Sequence, residues 1–286
     1  MCLTLAKKYL PYQHWEIRNV ETDDSLKIVP DRGGLITSWI CNDREMLYFD
    51  EPRFKDASKS VRGGIPILFP ICGDLPGDKY NLKNKEYYIK QHGFARDSCW
   101  QINLTDTKKS IILQLNQNKS TLISYPFEFN LEMEISLIKN SLQVLTRVKN
   151  NSKIIMPFSF GLHPYFLVKD LSKVIIKGLH GQCINHQDMS SSNTNSQLNN
   201  LSKGVDFISD SIGSTTTTLV DNANNISIEL KAEDPFNFVV IWTDPPRDMI
   251  CLEPWTSPRN SFINGNKIVL LSPGEIKRIK CSFLIN

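Results

Sequence analysis

The stretch Phe129–Asn150, FNLEMEISLIKNSLQVLTRVKN, reads as two β-strands: hydrophobic residues return at every second position, and Asn140 and Ser141 supply turn chemistry between the halves. A period of two turns one face of each strand inward and the other toward water. The same texture extends both ways along the chain. HWEIRNV, SLKIVP, GLITSWI, EMLYFD, YYIKQ, CWQINLTD and SIILQLNQ precede it, and KVIIKGL, ISIELKA, FNFVVIWT, MICLEPW, KIVLLSP and IKRIKCSFLI carry it almost to the last residue. Helical periodicity over ten or more residues is nowhere convincing, and no linker divides the series. The predicted fold is all-β, a large antiparallel sandwich in which residues 1–286 form a single domain.

Two polar segments break the pattern. Residues 185–203, NHQDMSSSNTNSQLNNLSK, are rich in Ser and Asn with few large apolar side chains, and are expected to form a mobile loop outside the core. SDSIGSTTTTLVDNANN, residues 209–225, is expected to be poorly ordered in the same way. Elsewhere the composition is that of a soluble globular protein, and no apolar run approaches the roughly 20 residues of a membrane helix. The net charge of +3 is small and the lysines are scattered, which argues against a nucleic-acid partner. The N-terminal MCLTLAKKYLPYQHWEI has no apolar stretch of signal-peptide length, so a cytoplasmic protein is expected. Seven cysteines, odd in number and widely spaced, read as reduced buried thiols rather than disulfide partners or metal ligands.

Chemistry concentrates in three stretches. In Val61–Trp100, VRGGIPILFPICGDLPGDKYNLKNKEYYIKQHGFARDSCW, the glycines Gly63, Gly64 and Gly93 permit turns or close backbone approach to a ligand. Arg62, His92 and Arg96 place cationic or hydrogen-bonding tips beside them, which suggests one wall of a polar small-molecule pocket. In Met156–Phe166, MPFSFGLHPYF, His163 lies among aromatics, as a catalyst or as a satisfied core side chain. In Ile250–Ser261, ICLEPWTSPRNS, Glu253 interrupts a buried-looking strand. It must be paired, with Arg259 or a backbone amide, or else burial raises its pKa toward that of a general base working near neutrality. No serine or cysteine stands in a recognisable nucleophile setting, so acid–base chemistry is favoured over covalent catalysis. Phe69, Tyr165, Trp242 and Trp255 offer flat apolar platforms suited to a sugar ring, or ordinary core packing.

Taken in order, RGGIPILFP, QHGFARD, FSFGLHPYF, GVDF and CLEPW resemble the motifs of the aldose 1-epimerase, or galactose mutarotase-like, family. The resemblance runs from about Ile28 to the C-terminus and is strongest to the bacterial branch with the lactose-operon mutarotase-like proteins, the hexose-6-phosphate mutarotases coming next. It implies a "supersandwich" with its active site in a cleft on a concave sheet face, interconversion of the anomers of a hexose, no cofactor and no metal. By motif, His163 takes the general-acid position, as imidazolium, and Glu253 the general-base position, as carboxylate. Arg62 and His92 match substrate-binding positions, and Asp206 in GVDF the aspartate that binds a sugar hydroxyl; Arg96 is assigned to substrate binding from its nearness to them in sequence. The partner implied is a free hexose or its 6-phosphate, handled by a monomer or homodimer. A non-catalytic carbohydrate-binding sandwich is the alternative from outside the enzymes.

Overall fold

Alternation becomes layering in the three-dimensional structure, a computed structural model that describes residues 2–210 and 216–286. Phe129–Ile138 buries every second residue almost throughout, and pairs in antiparallel register with Ser141–Asn150, Ile138 opposite Ser141. Asn140 takes a left-handed conformation (φ 58°) in the tight turn between them, which asparagine tolerates better than most residues.

These two strands lie inside an eight-stranded antiparallel sheet ordered Val174–Lys177, Thr217–Asp221, Ile226–Ala232, Ile276–Ile285, Ser141–Asn150, Phe129–Ile138, Ile111–Asn116 and Gln101–Leu104. A second eight-stranded sheet runs Ser191–Asn193, Gln182–Asn185, Asp206–Asp210, Phe238–Thr243, Met249–Trp255, Gly161–Leu162 and Ile67–Leu68, with Tyr165–Leu167 also paired to Met249–Trp255. A five-stranded N-terminal sheet, Leu3 to Glu45, flanks them. One cluster of buried side chains, from Leu3 to Ile285, joins all three sheets. The architecture is the large antiparallel β-sandwich predicted from the sequence. Among the described residues no helix is long and apolar enough to cross a membrane.

The structure departs from the sequence reading in several places. Leu3–Lys8 is an edge strand that the reading missed, because only Leu3 of its six residues is buried and no alternation marks it. Of EMLYFD only Glu45 is in a strand, Arg44–Glu45, and the rest continues as isolated bridges from Leu47 to Phe166 and from Phe49 to Gly63. The Ser/Asn-rich segment is not a featureless loop outside the core. It contains the strand Ser191–Asn193 and the short helix Thr194–Leu198, and it buries His186, Thr194 and Leu201. Its polar side chains do the folding: Asn193 caps the helix by accepting from the Ser196 N–H, and the Thr194 hydroxyl donates to the His180 carbonyl at 2.6 Å. In the second polar segment Thr217–Asp221 is strand, while the expectation for residues 211–215 lies outside the described residues. Two of the seven thiols, Cys2 and Cys99, are exposed rather than buried.

Candidate active site

Strand alternation assembles the site. Met249–Trp255 is buried along its whole length, because one face meets the core and the other lies under a pocket. Cys251, Glu253 and Trp255 share the pocket face. Their cross-strand neighbours Trp242, Val240 and Phe238 share it too, and on the next strand Asp206 and Ile208 pair with Trp242 and Val240. The opposite strand edge brings in Tyr165, paired with Cys251, and His163 just before it, whose backbone N–H donates to the Pro66 carbonyl at 3.0 Å.

The resulting cavity, about 150 Å³, is lined by Arg62, Gln91, His92, Arg96, His163, Tyr165, Asp206, Val240, Trp242, Glu253, Trp255 and Arg259. All six residues singled out for catalysis or substrate binding therefore face one cavity. A sugar-ring platform from Phe69 is not available, since that ring is fully buried against Phe94, Tyr125, Phe129 and Phe158. Tyr165, Trp242 and Trp255 are at the pocket.

At its floor Nδ1 of His163 lies 3.4 Å from Oε1 of Glu253. The imidazole is stacked on Tyr165, centroids 4.7 Å apart and planes within 7°. The other carboxylate oxygen of Glu253 accepts from the Trp255 indole N–H at 3.0 Å. Burial, and then the negative charge of Asp206, pushes the Glu253 carboxyl well above its ordinary range, against the indole hydrogen bond and Arg259. Burial, and then the positive charges of Arg96 and Arg62, pushes His163 down to about 3. Both effects disfavour the imidazolium implied for His163.

His92 is set by the backbone. The Gly73 N–H donates to its Nδ1 at 3.1 Å, so in the neutral ring Nε2 carries the proton as a donor. Burial, with Arg96 and His163 adding to it, holds this histidine well below its usual value. His92 itself has φ 66° and is followed by Gly93 at φ 73°, where a Cβ would fall 2.2 Å from the Phe69 carbonyl oxygen. Likewise a Cβ on Gly63 would meet the Phe49 Cα at 2.5 Å. The close approaches that these glycines allow are to neighbouring backbone, not to a ligand.

Around the rim, the Arg62 guanidinium sits over the Trp242 ring at 5.5 Å, and Arg96 donates to the Gln91 carbonyl at 2.8 Å. Asp206 is held at both oxygens, by His186 Nδ1 at 2.7 Å and by Arg259 at 3.1 Å, while Arg259 also reaches Asp74 at 3.2 Å. Arg259 thus pairs with Asp206 rather than with Glu253. His186, stacked on Trp255, and this use of Arg259 escaped the sequence reading because each acts through another side chain. A wider groove of about 490 Å³ opens beside the cavity, lined by Arg32, Lys59, Lys90 and Arg96 among others, and sharing Arg96, His163 and Tyr165 with it.

A buried carboxyl and imidazole in contact, among hydrogen-bonding groups and flat rings on one face of a large sandwich, are suited to acid–base chemistry on a small polar substrate. The chain belongs to the aldose 1-epimerase family, whose model matches residues 19–284, and is accordingly an epimerase with a sugar as its substrate class. It is 34% identical to the Slr1438 protein of Synechocystis sp. PCC 6803, whose structure superposes with a TM-score of 0.91 over 96% of this chain and 95% of that one. Protein LacX of Lactococcus lactis subsp. lactis is 25% identical over 93% of this chain and 91% of its own length. A Cenchrus ciliaris protein provisionally named glucose-6-phosphate 1-epimerase is 30% identical, over 51% of this chain and 45% of its own length. The chain thus matches about half of that relative.

Proposed function

We propose that the protein is an aldose 1-epimerase, a mutarotase of EC class 5.1.3, which interconverts the α and β anomers of a hexose by ring opening and reclosure. The observation that carries this is the contact of His163 Nδ1 with Glu253 Oε1, 3.4 Å, on the floor of a cavity ringed by polar groups. We assign the pair one titratable proton, held on Glu253 before ring opening, in keeping with the raised carboxyl and the depressed imidazole. In ring opening Glu253 gives this proton to the ring oxygen as the bond from that oxygen to the anomeric carbon breaks. His163 takes the proton of the anomeric hydroxyl, which becomes the carbonyl. Rotation about the neighbouring carbon–carbon bond presents the other carbonyl face. On reclosure the Glu253 carboxylate removes the proton of the attacking hydroxyl and the His163 imidazolium protonates the carbonyl oxygen, restoring the resting pair. The motifs imply the opposite assignment, in which the Glu253 carboxylate takes the anomeric proton and the His163 imidazolium protonates the ring oxygen as the ring opens.

His92 Nε2–H and Arg62 act as donors to sugar oxygens, Asp206 accepts from a sugar hydroxyl, Arg96 stands at the mouth, and Trp242 and Trp255 flank the ring. Nothing beyond these side chains enters the reaction as drawn. The core cluster continuous from Leu3 to Ile285 supports a single domain, and a cytoplasmic monomer or homodimer fits the reading.

A second reading, a hexose-6-phosphate mutarotase, is favoured by the groove that meets the cavity at Arg96 and carries Arg32, Lys59 and Lys90. The experiment that decides is NMR exchange between anomers of glucose, galactose and glucose 6-phosphate, with and without protein, at a pH where spontaneous mutarotation is slow. Acceleration for free hexoses supports the first reading and acceleration confined to the phosphate the second. Acceleration of none overturns both.

A further inference from the structure

We propose that His163, Cys251 and Glu253 form a Zn²⁺ site on the floor of the cavity, where the ion competes with the sugar for the acid–base pair. Each offers one ligand atom, a ring nitrogen, Sγ and a carboxylate oxygen, and these lie within 4.8 Å of one another. Two nitrogen or oxygen ligands of a tetrahedral zinc, each about 2.0–2.1 Å from the metal, stand about 3.3 Å apart. The His163–Glu253 separation of 3.4 Å already meets that requirement.

The His163 Nδ1 atom is buried and has no hydrogen-bond partner. Its ring is fixed by the stack on Tyr165, so the lone pair needs no reorientation to bind. Cys251, opposite Tyr165 in the strand pairing, has no part in the proposed reaction; its sulfur lies 4.0 Å from the Met249 sulfur. A mixed nitrogen, sulfur and oxygen set suits zinc, whereas magnesium and calcium prefer all-oxygen sites. Three protein ligands leave a fourth position for water, as in zinc sites that stay open to solvent. Spacing along the chain does not reveal this set, because His163 lies between Gly161–Leu162 and Tyr165–Leu167 while Cys251 and Glu253 are on Met249–Trp255.

Binding stands on this geometry alone, while inhibition rests on the epimerase reading. The exposed Cys2 and Cys99 are first replaced by serine to remove competing thiols. Zn²⁺ calorimetry should then give one equivalent bound, and Co²⁺ should give a thiolate-to-cobalt absorption band. X-ray absorption of the zinc-loaded protein should show one sulfur at about 2.3 Å with nitrogen and oxygen neighbours. Cys251→Ala should abolish the band and weaken Zn²⁺ at least tenfold with anomer exchange unchanged. In kinetics Zn²⁺ should raise the apparent KM and leave kcat alone. Zinc bound without a sulfur neighbour, or equally well in Cys251→Ala, overturns the site; a sulfur-ligated zinc that leaves turnover untouched overturns the competition. If no sugar is turned over, the epimerase reading fails while calorimetry and absorption still decide the site.

Discussion

Glu253→Gln and His163→Asn, made singly and together, test whether the two groups act as one unit. Each substitution removes a group that exchanges a proton with the substrate, and a positioned acid or base contributes about 10²–10⁴-fold, or about 2.7–5.4 kcal/mol of transition-state stabilisation. Independent contributions would multiply to about 10⁴–10⁸ in the double variant. The structure argues otherwise. The two groups are 3.4 Å apart, and in the proposed reaction each half needs both, one giving a proton as the other takes one. The double variant should therefore be about as slow as the slower single one, at about 10²–10⁴ below wild type, with residual activity from the positioning groups Arg62, His92 and Asp206. Anomer exchange measured by NMR saturation transfer reads this over several decades, with thermal unfolding confirming that each variant is folded. Multiplicative losses would refute the joint action of the two groups, and near-wild-type turnover in either single variant would refute the assignment.

The pH–rate profile should show no acidic limb near 6.5, because His163 is held at about 3, and an alkaline limb above the ordinary carboxylate range, because Glu253 is held above it; activity that falls with acid around 6.5 would contradict the buried pair. Stability carries the same signature with defined signs. The depressed His163 costs folding free energy as pH falls from 6.5 toward about 3, since the unfolded chain binds the proton first. The raised Glu253 costs it as pH rises from the ordinary carboxylate range through the folded value, so Glu253→Gln should flatten the alkaline slope of Tm and His163→Asn the acidic one; unchanged slopes would count against both shifts. Trp255→Phe removes the indole donor on Glu253 and should lower kcat/KM about ten- to a hundredfold, from the roughly 1.5–3 kcal/mol of a hydrogen bond to a charged group, and move the alkaline limb upward. Gly93→Ala puts a Cβ at φ 73° and 2.2 Å from the Phe69 oxygen, and should destabilise by at least about 1–3 kcal/mol in denaturant titration; a neutral substitution would mean that the turn carrying His92 is not fixed as described.

The fold was legible wherever one face of a strand meets the core and the other meets water. Phe129–Ile138 and Ile276–Ile285 declare themselves by alternation, and Leu3–Lys8 does not, because five of its six residues lie outside the core. The polar segment failed as a prediction for a different reason. Composition reports how much apolar surface a stretch can bury, but residues 185–203 are held by backbone pairing of Ser191–Asn193 to the Gln182–Asn185 strand and by caps and hydroxyl bonds, which composition does not register.

Legibility of the site follows from the same geometry. A strand buried on both faces should be apolar throughout, so a glutamate inside MICLEPW marks a place where the second face meets something other than core. Its period of two then carries the mark sideways, from Glu253 to Val240 and from Cys251 through Trp242 to Asp206. Neither His186 nor the pairing of Arg259 could be reached that way: His186 comes from the polar segment and acts through the carboxylate of Asp206, and Arg259 reaches the cavity wall from the loop after the strand. Two carboxylates therefore face one cavity in opposite settings. Asp206 has a histidine and an arginine on its oxygens, whereas Glu253 has only an indole and an imidazole that burial keeps neutral. That difference supports the proposed roles: the carboxylate paired with cations as an acceptor for a hydroxyl, and the one without a cation on its oxygens as the group that moves a proton.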